Sequence, residues 1–279
     1  MAKVRKLIMQ DRIKIHVMKC GEVGVDPAVP SRDVSKNPLA YTGLFRSAKR
    51  RIWLPVFTYL IEHPKGNILV DTGWSSEVRN NPKKAESYRL WFASKPRLPM
   101  GSAVDEQIKS RGIALDSLEY VFLTHMDVDH VNGIQMVKGA RHIMAAKEEI
   151  QAAEGRDVRY WRKQWNGISL EEIPLQETGE GISGESFDVF GDGTIQVIAT
   201  PGHSAGSVTV LVRNQGNSVL IAGDTGYEKT SWREGRLPGP VFDKEQMVKA
   251  LGWVNELEKK GTTILACHDP EINEQLIEL

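Results

Sequence analysis

Apolar and polar positions alternate with a period of two along much of this chain, the spacing of strands that bury one face. Ile13–Lys19 alternates in this way, and Trp53–Glu62 is dense in β-branched and aromatic side chains. Pro64-Lys65-Gly66-Asn67 then turns the chain into Ile68–Val70, which predicts a hairpin. Tyr120–Leu123 predicts a short buried strand. Thr194–Ala199, Val208–Val212, Val219–Ala222 and Thr263–Ala266 follow, separated by Gly, Asn and Asp turn residues. Helices are expected between these strands. Ser102-Ala103-Val104-Asp105 has the form of a capping box opening a helix to about Arg111, and Ala145–Glu154 reads as a second helix. The clearest helix runs from Asp243 to Lys260, with Asp243 and Gln246 as a cap pair and Gly261 as its stop. Met247, Ala250, Leu251, Val254 and Leu257 form the stripe with which such a helix packs on a sheet. The expectation is an α/β (α+β) protein of layered sheets with helices outside, forming a single domain over residues 1–279.

Two segments break the pattern and read as insertions, residues 75–101 and 156–186. Tyr88, Trp91 and Phe92 in the first, and Tyr160, Trp161 and Trp165 in the second, are much aromatic surface for loops. Such residues either pack over the core or form a pocket wall or dimer contact.

Composition narrows the function classes. The chain has 279 residues, with 36 basic and 36 acidic side chains and no formal net charge. That balance argues against a protein held to nucleic acid or acidic lipid by long-range attraction. The one basic cluster, Arg46, Lys49, Arg50 and Arg51, precedes an apolar strand, where charges guard against aggregation. Cys20 and Cys267 make no disulfide framework, which suggests a reducing compartment. The N-terminal segment lacks the clean apolar stretch of a signal peptide, and no apolar run approaches membrane-helix length. A cytoplasmic protein, bound neither to membrane nor to nucleic acid, is expected.

The chemistry concentrates in Thr124-His125-Met126-Asp127-Val128-Asp129-His130, just after a predicted strand. A lone histidine is ordinarily structural, but two His and two Asp this close are costly to bury as bare charges. A divalent cation removes that cost, because imidazole and carboxylate are its ligands. Three more polar residues sit at predicted strand ends beside small residues: His203 in Pro201-Gly202-His203-Ser204-Ala205-Gly206-Ser207, Asp224 in Gly223-Asp224-Thr225-Gly226, and His268 in Cys267-His268-Asp269. His16, His63 and His142 lack this setting and read as structural.

This ordered series, with His63-Pro64-Lys65-Gly66-Asn67 and Asp71-Thr72-Gly73-Trp74 upstream, resembles the metallo-β-lactamase superfamily over about residues 50 to 270. The resemblance implies a four-layer αββα sandwich with a dinuclear metal site along one edge. By it, metal one takes His125, Asp127, His203 and Asp224, and metal two takes Asp129, His130, His268 and the shared Asp224. Within the superfamily the chain is most similar to the N-acyl homoserine lactonases. Tyr227 stands three residues after Asp224, as does the tyrosine that contacts the lactone carbonyl in those enzymes, and Ala266-Cys267-His268-Asp269-Pro270-Glu271 resembles their terminal segment. Eleven residues follow His268, too few for a further substrate domain. The implied activity is opening of a lactone ring, of an N-acyl homoserine lactone or similar compound, by attack of a metal-bridging hydroxide. Asp129 would return a proton, and Tyr227 would stabilise the oxyanion. A homodimer is compatible with this reading.

One residue departs from the family pattern. The usual motif has His where this chain has Asp127. Asp127 is either a ligand or a carboxylate that supports the ligands from behind. As a ligand it brings two divalent ions, three carboxylates and one hydroxide to neutrality. Zinc is the family's metal; a third carboxylate favours harder ions such as iron or manganese, and the flavodiiron branch, which carries an acidic residue here, binds iron. Tyr227 has a plainer reading as a loop tyrosine. The rival functions are hydrolysis of another ester or a phosphodiester on the same fold, and a diiron redox protein, which would need a flavin partner.

Overall fold

The computed structural model describes residues 12–84, 87 and 90–279; Tyr88 and the first eleven residues lie outside them. The strands are β1 (Lys14–Val25), β2 (Ile52–Glu62), β3 (Asn67–Val70), β4 (Pro96–Arg97), β5 (Leu118–Phe122), β6 (His142–Ala145), β7 (Glu171–Glu172), β8 (Gln176–Glu180), β9 (Gly184–Asp188), β10 (Ile195–Ala199), β11 (Val208–Asn214), β12 (Asn217–Gly223), β13 (Thr263–Ala266) and β14 (Gln275–Glu278). They form two sheets, one in the order β14-β1-β2-β3-β5-β6-β7 with β4 on β1, the other in the order β13-β12-β11-β10-β9-β8.

The period-two pattern explains the layering. Inward residues of both sheets, among them Tyr59, Ile61, Val70, Phe122, Val197, Val210, Ile221 and Leu265, share one apolar core. Their neighbours along the same strands point outward, to helices. Leu60, Leu69 and Val121 pack with Val104 and Ile108 of helix α1 (Val104–Ser110). Behind Ala145, helix α2 (Lys147–Glu154) adds Ala153 to that layer. On the other sheet, Ile198, Leu211 and Leu220 pack with Met247, Leu251 and Val254 of helix α3 (Lys244–Lys259). The result is the four-layer αββα sandwich.

Several boundaries differ from the sequence reading. Only half of the expected box forms at α1, and one residue later: Glu106 accepts from the Ala103 backbone N–H at 3.0 Å, while Ala103 at the N-cap has no side-chain acceptor to return the bond. Ala145 ends a strand and does not begin a helix. Asp243 caps α3 through the Glu245 and Gln246 backbone N–H groups. The second insertion is not loop throughout: its latter half is the hairpin β8–β9, polar because it lies at a sheet edge. Strand β14, which the sequence reading omits, pairs antiparallel with β1. Trp165 is buried in the layer of α1 and α2, whereas Phe92 in the first insertion is exposed. No helix among the described residues is long and apolar enough to cross a membrane.

Candidate metal centre

The strand ends of both sheets deliver polar side chains to one edge of the sandwich. β3 leads into Asp71, β5 into His125, β10 into His203, β12 into Asp224 and β13 into His268. Asp127 is the N-terminal cap of the single-turn helix Val128–Val131, which carries Asp129 and His130.

The donors fall into two groups. His125, Asp127 and His203 bring ligand atoms within 4.8 Å of one another, as do His130, Asp224, Cys267 and His268. Asp224 faces both. Its Oδ2 lies 3.9 Å from His125 Nε2 and 3.5 Å from His203 Nε2; its Oδ1 lies 3.2 Å from His130 Nε2 and 3.3 Å from His268 Nε2. Asp129 joins the second group, with Oδ2 3.5 Å from His268 Nε2. The Cys267 thiol donates to the Phe57 carbonyl at 3.2 Å and so points its hydrogen away.

All four imidazoles are tethered through Nδ1, leaving Nε2 to face the centre. His130 Nδ1–H donates to Asp71 at 2.9 Å, His268 Nδ1–H to the Pro55 carbonyl at 2.8 Å, and His203 Nδ1–H to the Pro240 carbonyl at 3.1 Å. His125 Nδ1 lies 3.1 Å from Thr124 Oγ1, whose own hydrogen goes to Asp71, so Oγ1 accepts. Partners of this kind fix tautomer and ring orientation for metal binding. Asp71 serves two of the rings from a left-handed backbone, φ 60°, which aspartate tolerates better than most residues. His125 Nε2, His130 Nε2 and Asp224 Oδ1 are buried without a hydrogen-bond partner. Orphaned nitrogens facing carboxylates are what a divalent cation would satisfy, so the residues present fit a metal ion.

Charge is distributed unevenly. Burial opposes the Asp224 carboxylate, but His268 and His130 hold it well below the usual range. Burial likewise lowers His268, while Cys267 and Asp224 outweigh it and carry the imidazolium up to about 10. His203 goes the other way: burial and then the Arg159 guanidinium push it down to about 4.

Arg159 was not among the residues expected here. It belongs to the second insertion. Its Nη2 donates to Asp127 Oδ2 at 2.7 Å, its Nε to the other Asp127 oxygen, and its Nη1 to the His203 carbonyl at 2.7 Å. Nη2 also abuts His203 Nε2. Burial opposes the charge of Asp127, but Arg159 and then His125 hold that carboxyl well below its ordinary value.

A second unforeseen residue is Glu149, fully buried in the first turn of α2. It accepts from the Met126 N–H at 2.9 Å, Tyr160 hydroxyl at 3.0 Å, Ser204 hydroxyl at 2.6 Å and Gly206 N–H at 3.1 Å. One carboxylate thereby pins the His125 loop, the His203 loop and the insertion next to Arg159. Gly206 permits the approach; a Cβ there would lie 2.3 Å from the Glu149 backbone nitrogen.

Tyr227 is buried, its ring stacked on His268 at 5.0 Å between centroids and edge-on to His203 at 6.1 Å. Burial and then Asp224 raise its phenol well above 10, so the hydroxyl remains a donor at neutral pH. The other three histidines lie elsewhere: His16 pairs with Glu62 at 2.6 Å, His63 stacks on Phe190, and His142 pairs with Glu171 at 3.0 Å.

Known proteins resemble this chain in sequence and fold. Residues 51–268 match the model of the metallo-beta-lactamase superfamily. The N-acyl homoserine lactonase AttM of Rhizobium radiobacter is 30% identical over 226 residues, covering 78% of this chain and 83% of that protein. An N-acyl homoserine lactonase of Bacillus thuringiensis is 27% identical over 213 residues, covering 76% and 80%. Among solved structures, an N-acyl homoserine lactone hydrolase with its product N-hexanoyl-L-homoserine at the catalytic metal centre superposes with a TM-score of 0.74 at 22% identity, covering 92% of this chain and 94% of that one. With a family match over most of its length, this chain belongs to the metallo-β-lactamase superfamily.

Proposed function

We propose that the protein is a metal-dependent hydrolase that opens a lactone ring, with N-acyl homoserine lactones or close analogues as substrates. The observation that carries this reading is the bridging placement of Asp224 together with Tyr227 against His268, in a chain similar to the lactonase of Rhizobium radiobacter. The two donor groups offer two positions for divalent ions, one on His125, Asp127 and His203, the other on Asp129, His130 and His268, with Asp224 common to both. Zinc, iron or manganese suits a set of four imidazoles and three carboxylates. Ions bound there would lower the pKa of water toward neutrality and polarise a carbonyl oxygen.

The chain's own groups supply the rest. The Nδ1 tethers hold the four rings in register before substrate arrives. The Tyr227 hydroxyl donates to the oxyanion that develops at the lactone carbonyl. Asp129, at the edge of the second group, returns a proton to the departing ring oxygen. The small lactone is the expected partner, and the balanced charge argues against long-range attraction to nucleic acid or an acidic membrane.

Parallel assays with an N-acyl homoserine lactone, a simple aliphatic lactone and bis(p-nitrophenyl) phosphate test the reading. Lactones should be opened, chelation should stop the reaction, and added metal should restore it. Faster cleavage of the phosphodiester than of either lactone would overturn it.

A further inference from the structure

Arg159 occupies the first donor group as a cation would. Its guanidinium takes both oxygens of Asp127 and abuts His203 Nε2, the atom that the tethered Nδ1 leaves free for a metal. An ion on that position and the guanidinium need the same lone pairs. The second group has no guanidinium in it: His130 Nε2 and Asp224 Oδ1 are buried with no hydrogen-bond partner, whereas in the first group Arg159 takes Asp127 and abuts His203 and leaves only His125 Nε2 so orphaned. The charge balance points the same way. One divalent ion and one guanidinium neutralise Asp127, Asp129 and Asp224; a second ion beside Arg159 would leave a surplus of two positive charges in a buried site, or one once a bound hydroxide is counted.

We infer that Arg159 is a built-in cation in place of the first metal, so that the protein loads its second position tightly and its first only when the guanidinium withdraws. The resting centre then holds one ion, on Asp129, His130, Asp224 and His268. Arg159 is a positioning residue here: it touches Asp127 and His203, and what it governs is how many ions the centre keeps. The fork geometry, matched to a carboxylate, is what lysine would lack. This inference rests on the metal-centre reading above.

The test is metal content and affinity, apart from turnover. Full-length protein is stripped with a chelator, dialysed, and titrated with Zn²⁺ and, separately, Mn²⁺, with elemental analysis after gel filtration. Wild type should retain one ion per chain, with a second binding at least about tenfold more weakly. Arg159→Met should retain close to two, with the weak step strengthened about tenfold or more. Arg159→Gln, closer in shape and still polar, should do the same if the Met variant fails to fold. Two ions of equal affinity in wild type would overturn the inference, as would a single ion in both wild type and a folded Arg159 variant. No bound ion in wild type would overturn the metal centre itself, and this inference with it.

Discussion

The two halves of the centre are built from similar ligands yet neutralise their carboxylates by different means. On the His130–His268 side, positive charge comes from protons: His268 is held up to about 10, and His130 is also raised well above its ordinary value. Such protons can leave when a metal ion arrives. On the His125–His203 side the positive charge is Arg159, which no accessible pH removes. His203 is correspondingly pushed down to about 4 and stays neutral. On the inference drawn above, one half would exchange a proton for a metal, whereas the other would have to move a side chain. Ligand identity alone does not fix how readily a site fills.

Substitutions can break this contrast or sharpen it. Asp224→Ala should have the largest effect, because both halves lean on the same carboxylate. Activity should fall to background and stoichiometric metal should vanish, as read by elemental analysis of the folded protein. A variant that kept one tight ion would show that the halves are independent. Asp71→Asn comes next. It weakens the partner of His130 directly and that of His125 only through Thr124, so the second position should lose about 10- to 100-fold in metal affinity. A competing chelator dye measures this; an unchanged affinity would mean that the Asp71 contact is packing only. Tyr227→Phe should be smallest in binding terms. Metal content should stay as in wild type while kcat falls about 10- to 100-fold, about 1.4 kcal/mol of barrier for each factor of ten. Equal kinetics would remove the hydroxyl from the reaction.

Much of the fold, and the placing of candidate donors at strand ends, was legible in the sequence for a local reason. Strand periodicity marks where each strand stops, and His125, His203, Asp224 and His268 each lie within four residues of such an end. Asp71 was noted only as part of the family-like turn after β3, and its contacts with His130 and Thr124 came from the structure. Arg159 was not, because its partner Asp127 lies 32 residues away and nothing in a basic, aromatic run announces which guanidinium turns inward. Glu149 was hidden differently. It follows Glu148 in the first turn of a helix, where acidic residues are ordinarily solvated, and only the folded structure buries it against Ser204 and Gly206. The β8–β9 hairpin escaped because the edge strand β8 has no apolar face and β9 contributes little more than Phe187 to the core.

Arg159 hangs from a connection between α2 and β7, not from the sheets themselves. Changing that connection at Arg159 while keeping Tyr160, Gln164 and Trp165, which anchor it to Glu149, Val128 and the core, would leave the ladder registers intact and alter the guanidinium at the centre. The number of ions an enzyme of this architecture uses would then be an editable loop property, open to drift or design while the scaffold stays put.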